Sequence, residues 1–502
     1  MAASQDLVAI FIAEFHVTKG NVIEWSLVSR EGISLENVAF NVLPSKVQTV
    51  ATDVIYFTKD SYQGVAVYRR ITSDEESRRG ARMISVGVLV ENSTRPRPWN
   101  HISALKRFAV RLEDSLEERD FLEAYFNQHK VPNTNSSEEE PWDGWEEEIS
   151  RATMDHPAFH LSHVLQIMGI SSLTVFKHAL GRRRILIHTP PPVESACLLA
   201  QLAAVISTGE EGASGVHAQK IAVLGVVGLT DLKRIEEVSA QGNGWIACTT
   251  DAIFLEKTQL YDLLIDLSSR AQQRPQRPSL SVSRFSEGSN IKTYKLQSVR
   301  YTWSDVKLWT ELDRILEADF EHGHPHEAYA TKSRWLDPWG LYDDVCIVCA
   351  GIWTGWKPSA TTSYRQSSSE STPVTNSNSN TQLRLSTDMK DSSRKSIDPR
   401  LGPLDVSPST RAKVTALGLL SAFHNHTDFL HSRLTEFLAS TPGAVGIETE
   451  TVMNPKDVVA FDLGPGSELD ARFLEWLSET RGKKVKVRRG WKDLFRYIFG
   501  FA

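Results

Sequence analysis

Two short motifs carry side chains that bind metals or act as nucleophiles in many proteins. Cys346 and Cys349 form a C-x-x-C pair, and His322, His324 and His326 alternate in the sequence HGHPH. A structural zinc site needs four ligands, and no second C-x-x-C or suitably spaced Cys/His pair accompanies the cysteines. The flanking sequence DDVCIVCAGIW favours a strand in which the thiols pack as small hydrophobic groups. Gly and Pro between the histidines, without an H-E-x-x-H carboxylate, favour a loop.

Motifs for nucleotide binding and acyl transfer are also missing from the sequence. No G-x-x-x-x-G-K-[ST] phosphate loop is present, and GVVGLTD has the wrong glycine spacing for G-x-G-x-x-G. There is no G-x-S-x-G nucleophile elbow. Asp251 and Lys257 could form an acid–base pair, but their spacing suits a helix that Asp251 caps and whose C-terminal end Lys257 favours. We therefore predict no chemical active site, no cofactor and no metal.

Length, charge and cysteine content limit the classes to which the chain can belong. It has 502 residues, 41% of them apolar, which is enough for about two or three hydrophobic cores. The formal net charge of −6 offers no basic field to nucleic acid. Four cysteines are too few for a disulfide framework, which indicates a reducing compartment. The apolar runs Leu7–Ala13 and Val345–Trp353 are far shorter than the roughly 20 residues of a membrane helix, so we expect a cytoplasmic protein.

The N-terminal part of the sequence predicts an α+β module with an antiparallel sheet, over residues 6–130. Strand-like runs flank turn residues at 19–21 and again at 59–61, which is the pattern of two hairpins. A further strand is predicted at 83–90. Apolar residues at intervals of three and four predict one helix over 99–128, which would cover the sheet.

The middle of the sequence changes to a pattern of alternating strands and helices. Residues 131–150 are acidic and interrupted by proline, and we predict a linker there. Residues 151–270 predict a mostly parallel α/β module, because buried strands alternate with helices at short spacing. Residues 270–300 are predicted to form a polar loop.

The C-terminal part predicts helices around one long polar insert. Residues 300–356 are helical or mixed, and 357–409 are so rich in Ser, Thr and Asn that we predict disorder. Residues 410–502 form a helical region with a strong amphipathic helix at 413–440. The fold class is therefore a multi-module protein of α/β and α+β type.

The last residues, RGKKVKVRRGWKDLFRYIFGFA, join a basic cluster to aromatic residues at helical spacing. A basic amphipathic helix can lie on an anionic membrane. Equally, the aromatic side chains can seal a core while the basic side chains face water. The candidates for peripheral membrane contact are Lys483, Lys484, Arg488, Arg489, Trp491 and Phe495.

Five stretches of the sequence, in order, resemble the DENN-domain protein family. They are FHVTKGNVIEWSL, TDVIYFTKDSYQGVAVY, RRGARMISVGVLV, ILIHTPPPVESACLLAQLAAVIS and GWIACTTDAIFLEKTQLYDLLIDLS. The sequence is most similar to the LCHN (DENN domain-containing protein 11-like) type and its fungal relatives. The resemblance covers residues 6–270 well and implies a longin-like upstream module at 6–130 and a central DENN module at 151–270.

The resemblance also implies a guanine-nucleotide exchange factor for a Rab-type small GTPase in membrane and vesicle traffic. Such a factor carries out no bond chemistry, because it favours the nucleotide-free state of its partner by binding it. The alternative is a non-catalytic scaffold or effector on the same fold. In the family the longin sheet forms one wall of the GTPase-binding cleft. The candidate partner-binding residues are Glu24, Trp25, Arg82, Trp245, Thr249, Asp251 and Lys257, and for the first two we favour a cross-strand role in the fold over direct contact.

Overall fold

The computed structural model describes ten segments of the chain, which together contain thirteen strands and thirteen helices. The predicted C-x-x-C pair, the alternating histidines, residues 357–406 of the predicted insert, and Trp491 and Phe495 lie outside the described residues. The described segments are 4–72, 81–93, 95–114, 118–132, 143–208, 221–268, 277–286, 293–321, 407–440 and 451–489.

The N-terminal part forms five antiparallel strands: β1 (Leu7–His16), β2 (Gly20–Val28), β3 (Thr52–Lys59), β4 (Tyr62–Thr72) and β5 (Ala81–Val90). Their order is β3-β4-β5-β1-β2. Gly20 has a φ of +75° at the first turn, and Asp60 has a φ of +52° at the second. Glycine and aspartate tolerate this left-handed conformation better than most residues do. Both predicted hairpins and the predicted strand at 83–90 are confirmed.

Three helices accompany these strands: α1 (Val38–Val42), α2 (Ile102–Asp114) and α3 (Asp120–His129). α2 packs on β4 and β5 through Leu105, Ala109 and Leu112, which are buried. The prediction of one helix over 99–128 is wrong. α2 ends at Asp114, and a second helix starts at Asp120, where acidic side chains favour the positive end of the helix dipole.

The central part alternates helices and strands: α4 (Trp145–Arg151), α5 (Leu161–Met168), α6 (Ser172–Leu180), β6 (Ile185–His188), α7 (Glu194–Ile206), β7 (Ala222–Val226), α8 (Leu232–Ala240), β8 (Trp245–Thr249), α9 (Ile253–Glu256) and β9 (Leu263–Asp266). The strands run parallel in the order β9-β6-β8-β7, so the predicted parallel sheet is confirmed. Most of α4 lies within residues 131–150, which were predicted to be a linker. A helix forms there because Ile149 is buried in a hydrophobic core.

The two groups of strands belong to one sheet of eleven strands rather than to two separate layers. β3 pairs antiparallel with β7 at Phe57 and Gly225, which joins the N-terminal strands to the parallel ones. At the far edge, β10 (Ser279–Ser286) and β11 (Thr293–Ser298) form a hairpin that pairs with β9. The predicted polar loop at 270–300 is therefore wrong in part. Leu280 and Val282 alternate with polar residues, and they are buried where β10 joins the sheet.

The C-terminal part contains α10 (Asp305–Glu321), α11 (Pro408–Ser440), β12 (Thr451–Met453), α12 (Pro455–Val459), α13 (Glu468–Glu479) and β13 (Val485–Val487). The predicted helix at 413–440 is confirmed as part of α11, and α10 lies in the segment that was predicted to be helical or mixed. β12 and β13 form a separate parallel pair that the prediction of a purely helical region did not contain. These elements share a second hydrophobic core with α5 and α6.

One stretch, Pro157–Leu180, is long and apolar enough to cross a membrane by composition alone. More than half (56%) of its most apolar window is buried inside the protein. Gly169, with a φ of +59°, divides the stretch between α5 and α6, whose leucines pack into the second core. This arrangement is typical of core helices.

Candidate functional site

An open cleft of about 670 Å³ lies where the antiparallel and parallel strands of the sheet meet. We call it the sheet-junction cleft. Phe15, from the end of β1, and Leu43, which follows α1, line one wall. Gly228 and Asp251, which follow β7 and β8, line the opposite wall. Ligands of open α/β sheets bind beyond the carboxyl ends of parallel strands, and this wall has that position.

The short helix α1 presents an aromatic side chain to the cleft because its neighbours are anchored inside. Asn37 and Lys46, on either side of α1, have φ values of +66° and +67°. Asn41 is buried and donates hydrogen bonds from Nδ2 to the Val226 carbonyl at 3.0 Å and to the Asp231 carboxylate at 2.7 Å. These bonds hold the helix against the parallel strands and leave Phe40, which lines the cleft, 45% exposed.

The opposite wall offers a second exposed apolar side chain. Leu229 follows Gly228 at the end of β7 and is 52% exposed. Phe40 and Leu229 thus face the same opening from the two parts of the sheet. Lys46, Arg70 and Asp251 add charged groups to the lining. A cleft that combines exposed apolar groups with charges of both signs fits a protein surface better than a small metabolite.

A second polar network holds the two walls at a fixed distance. The Thr58 hydroxyl on β3 donates to the Leu224 carbonyl on β7 at 2.6 Å. Arg234 on α8 donates to the Thr58 carbonyl at 2.6 Å, and its guanidinium lies 3.0 Å from the Asp231 carboxylate. Because Asp231 also accepts from α1, one chain of hydrogen bonds connects both walls of the cleft.

Asp53 connects the same two parts of the protein behind the cleft. Its carboxylate on β3 accepts hydrogen bonds from the backbone N–H groups of Val193, at 2.7 Å, and Glu194, at 3.1 Å, where α7 starts. Burial raises the pKa of Asp53 from its ordinary 3.8 to about 6, because the loss of hydration outweighs the bonds from Val193, Glu194 and Val54. The ionised form is therefore disfavoured in the folded protein.

Asp53 should make stability fall as the pH rises through its folded-state pKa. The folded protein binds the proton more tightly than the unfolded chain does, so the free energy of unfolding falls between about pH 4 and 6 and is flat above that range. We expect the unfolding free energy of the wild type, relative to Asp53→Asn, to fall by about 1 kcal/mol between pH 5 and 7 in urea titrations. If the difference in unfolding free energy between the wild type and Asp53→Asn is constant from pH 5 to 7, the pKa of Asp53 is not raised in the folded protein.

Of the seven candidate partner-binding residues, only Asp251 lines the sheet-junction cleft. Trp25 contacts the Arg119 guanidinium at 5.7 Å, and Glu24 lies 3.4 Å from His16 at an irregularity in the β1–β2 pairing. Arg82 points away from the cleft, because its neighbours Ala81 and Met83 line it, and its Nε donates to Glu14 at 2.7 Å.

Two of the candidates are buried core residues in this structure. Trp245 is buried and donates from Nε1 to the Ser239 hydroxyl at 2.9 Å. Thr249 is buried and donates to the Val227 carbonyl at 3.0 Å. Partner contact through the exposed candidates stays a prediction.

The predicted helix cap at Asp251 is wrong. α9 starts at Ile253, and no side chain caps its first turn. Among the described residues, the one hydrogen bond that Asp251 accepts is at its backbone carbonyl, from the Phe254 N–H at 3.2 Å. The Asp251 carboxylate is consequently left available to the cleft. Lys257 is half-buried directly after the last residue of α9, as predicted.

Phe40, Asn41 and Leu229 were not among the residues predicted from the sequence. Each lies in a short, turn-rich stretch, NVAFNV or GLTD, where periodicity gives little signal. An apolar residue in such a stretch is the signal that could have found Phe40 and Leu229, because loops otherwise expose polar groups. Asn41 gives no such signal. Within the described residues, no group of three His, Cys, Asp or Glu side chains is placed to hold a metal ion.

Comparisons with known proteins place this arrangement in a family. The profile of the family described as DENN domain-containing protein 11 matches residues 10–277. The chain is 30% identical over 277 residues to DENN domain-containing protein 11 of Danio rerio, covering 52% of this chain and 53% of that protein. It is 30% identical over 278 residues to the Rattus norvegicus protein of the same name, covering 52% and 57%. It is also 25% identical over 304 residues to the uncharacterized protein ANR2 of Saccharomyces cerevisiae, covering 52% and 58%.

The chain spans about half the length of the curated relatives it matches. The matched segment contains the five antiparallel strands except the first three residues of β1, the four parallel strands and both walls of the sheet-junction cleft. Since it also takes in more than half of the 502 residues, the chain belongs to the DENN domain-containing protein 11 family.

Proposed function

We propose that this protein is a guanine-nucleotide exchange factor for a Rab-type small GTPase in intracellular membrane traffic, and that it acts in the cytoplasm. Family membership supports this proposal, because DENN-domain proteins are in general exchange factors for Rab GTPases. In this reading β1–β5 are the longin-like module and β6–β9 belong to the DENN module. The observation that carries the proposal is the sheet-junction cleft, which is open and has an exposed apolar side chain on each wall.

Exchange requires that the protein bind the nucleotide-free GTPase more tightly than the nucleotide-bound form. Because the coupling between two ligands is reciprocal, a protein that binds the empty GTPase more tightly than the GDP-bound form lowers the affinity of the GTPase for GDP by the same factor. A rigid cleft suits this task, because a partner must adapt its switch segments to fixed walls. The hydrogen bonds of Asn41, Thr58 and Arg234 supply that rigidity.

Each cleft residue has a distinct proposed role. Phe40 and Leu229 are the apolar anchors, since large desolvated side chains at the centre of an interface contribute most of the binding energy. The Asp251 carboxylate accepts hydrogen bonds from a basic group of the partner. Lys46 and Arg70 complement acidic groups on the opposite side of the cleft and increase the rate of encounter.

Charged substitutions at the two anchors should abolish exchange without unfolding the protein. Phe40→Asp and Leu229→Asp each place an unpaired carboxylate in the proposed interface, while both side chains are about half exposed in the free protein. We expect each to slow release of fluorescent GDP from the cognate Rab on the order of 30-fold or more, which is the size of a hot-spot loss. The readout is the release rate measured across a panel of Rab GTPases.

Val414→Asp is the matched control, because Val414 is 64% exposed on α11, outside the cleft. It should leave the release rate unchanged. The scaffold or effector alternative predicts instead that the wild type binds GTP-loaded Rab most tightly and accelerates no release. The proposal is wrong if no Rab in the panel loses GDP faster in the presence of the wild-type protein.

A further inference from the structure

Strand β13 and the residues on either side of it carry a row of positive charges on the outer face of the small C-terminal sheet. Val485 and Val487 point inward and are buried, while Lys484, Lys486 and Arg488 alternate with them and are exposed. Side chains two residues apart on a strand lie about 6.6 Å apart and share a face. Arg489, which follows Arg488 directly, is also exposed.

These charges are not neutralised by neighbours in the described part of the chain. There, none of the four side chains Lys484, Lys486, Arg488 and Arg489 forms an ion pair or a hydrogen bond. The Glu475 carboxylate of α13 is turned inward and accepts the Val487 backbone N–H at 3.1 Å. The row is thus a local positive surface on a chain whose formal net charge is −6.

The row has an apolar neighbour on the same face. Val452 of β12 is aligned with Lys486 of β13 and is 39% exposed. Cations beside an exposed aliphatic group match the lipid headgroup and acyl boundary of a membrane. Binding of single-stranded nucleic acid normally adds aromatic stacking platforms, and the outer face of β12 and β13 has no aromatic residue.

We propose that the outer face of β12 and β13 docks on an anionic membrane surface. Lys484, Lys486, Arg488 and Arg489 contact lipid phosphates and carboxylates, and Val452 enters the boundary between headgroups and acyl chains. This surface is separate from the sheet-junction cleft and holds the protein at the membrane where its partner is found. It also gives a definite place to the membrane contact that the basic C-terminal sequence predicts.

The strength of docking should depend on the number of cations and on salt. Each Lys or Arg near an anionic surface increases the partition coefficient about fivefold, so removing three should lower it on the order of 100-fold. The attraction acts within a Debye length, which shrinks from about 10 Å at 0.1 M salt to about 3 Å at 1 M. High salt should therefore release the protein.

The experiment is co-sedimentation of the full chain with vesicles of phosphatidylcholine alone or with 30% phosphatidylserine. The wild type should bind only the anionic vesicles at 0.1 M salt. Lys484→Gln/Lys486→Gln/Arg488→Gln should lose that binding. The matched control changes the net charge equally at three exposed residues elsewhere, through Arg107→Gln, Lys130→Gln and Arg314→Gln, and should bind as the wild type does.

Three results would overturn the proposal. One is equal binding of the triple variant and its control, which would mean that only net charge acts. Another is loss of binding in Trp491→Ala/Phe495→Ala but not in the triple variant, which would place the contact in the terminal sequence. The third is failure of the wild type to bind anionic vesicles at 0.1 M salt, whether or not it binds RNA through the same basic residues. GDP release measured without vesicles tests the exchange proposal independently, and the triple variant should not change it.

Discussion

Lys177→Met should lower the free energy of unfolding by about 3–5 kcal/mol, the largest effect we expect for a single charged residue. The Lys177 ammonium on α6 lies 2.6 Å from an Asp305 carboxylate oxygen and 2.5 Å from an Asp470 oxygen. All three side chains are at most 4% exposed. Methionine fills a similar volume but leaves two buried carboxylates facing each other without a cation, which is the costly way to break a buried ion pair.

The prediction is checked by urea unfolding followed by tryptophan fluorescence. Lys307→Met is the matched control, because Lys307 also lies 2.5 Å from a carboxylate, that of Asp462, but is 76% exposed. Its loss should cost less than about 1 kcal/mol, as exposed pairs do. A cost for Lys177→Met no larger than that of the control would show that the cluster does not hold the fold together.

The same cluster explains how the C-terminal part is attached. Lys177 lies within the segment that matches the family. Asp305 is the first residue of α10, where its N–H donates to the Thr302 carbonyl at 3.0 Å, and Asp470 lies on α13. Asp470 also accepts hydrogen bonds from Ser304 at 2.8 Å and from the Gly464 N–H at 3.0 Å. One buried ammonium therefore organises three elements that are far apart in sequence. The pKa of Lys177 is held above its usual value by the two carboxylates, which outweigh its burial.

Local sequence patterns predicted those parts of the fold that local interactions determine. The hairpin turns at 19–21 and 59–61 and the parallel strands β6 to β9 follow from turn chemistry and hydrophobic periodicity. The break before α3 and the hairpin β10–β11 were missed for different reasons. Helical periodicity continues across the break, and β10 becomes a strand only because the edge of β9 is open to pair with it.

The candidate site was harder to predict than the fold, because it depends on which side chains the fold leaves uncovered. Trp245 and Asp251 lie in one continuous motif, yet one is buried beneath α8 and the other lines the cleft. No pattern within the motif separates the two. The position of Phe40 in the cleft depends on the hydrogen bond between its neighbour Asn41 and Asp231, a residue 190 positions later in the chain. Contacts between residues so far apart in the sequence cannot be predicted from the local periodicity of apolar residues.

The continuity of the sheet also could not be predicted, and it depends on one glycine. Gly225 is the residue of β7 that pairs with Phe57 of β3, and it has a φ of +67°. A Cβ atom at this position would lie 2.3 Å from the Tyr56 carbonyl oxygen and 2.6 Å from the Phe57 Cα. Only glycine allows the two strands to approach so closely, since both obstacles are backbone atoms that cannot move aside alone.

Gly225→Ala should therefore cost about 3 kcal/mol or more of unfolding free energy, from the left-handed backbone together with the clash. Gly242→Ala is the control that measures the cost of the left-handed backbone without a clash, because Gly242 has a φ of +73° and no atom within 4 Å of the position that a Cβ would occupy. The control should cost about 1 kcal/mol. Because β7 continues into Gly228 and Leu229, we also expect slower GDP release from Gly225→Ala but not from the control. Equal unfolding free energies for the two variants would mean that the strands separate without cost, and the two walls of the cleft would then not be held by this junction.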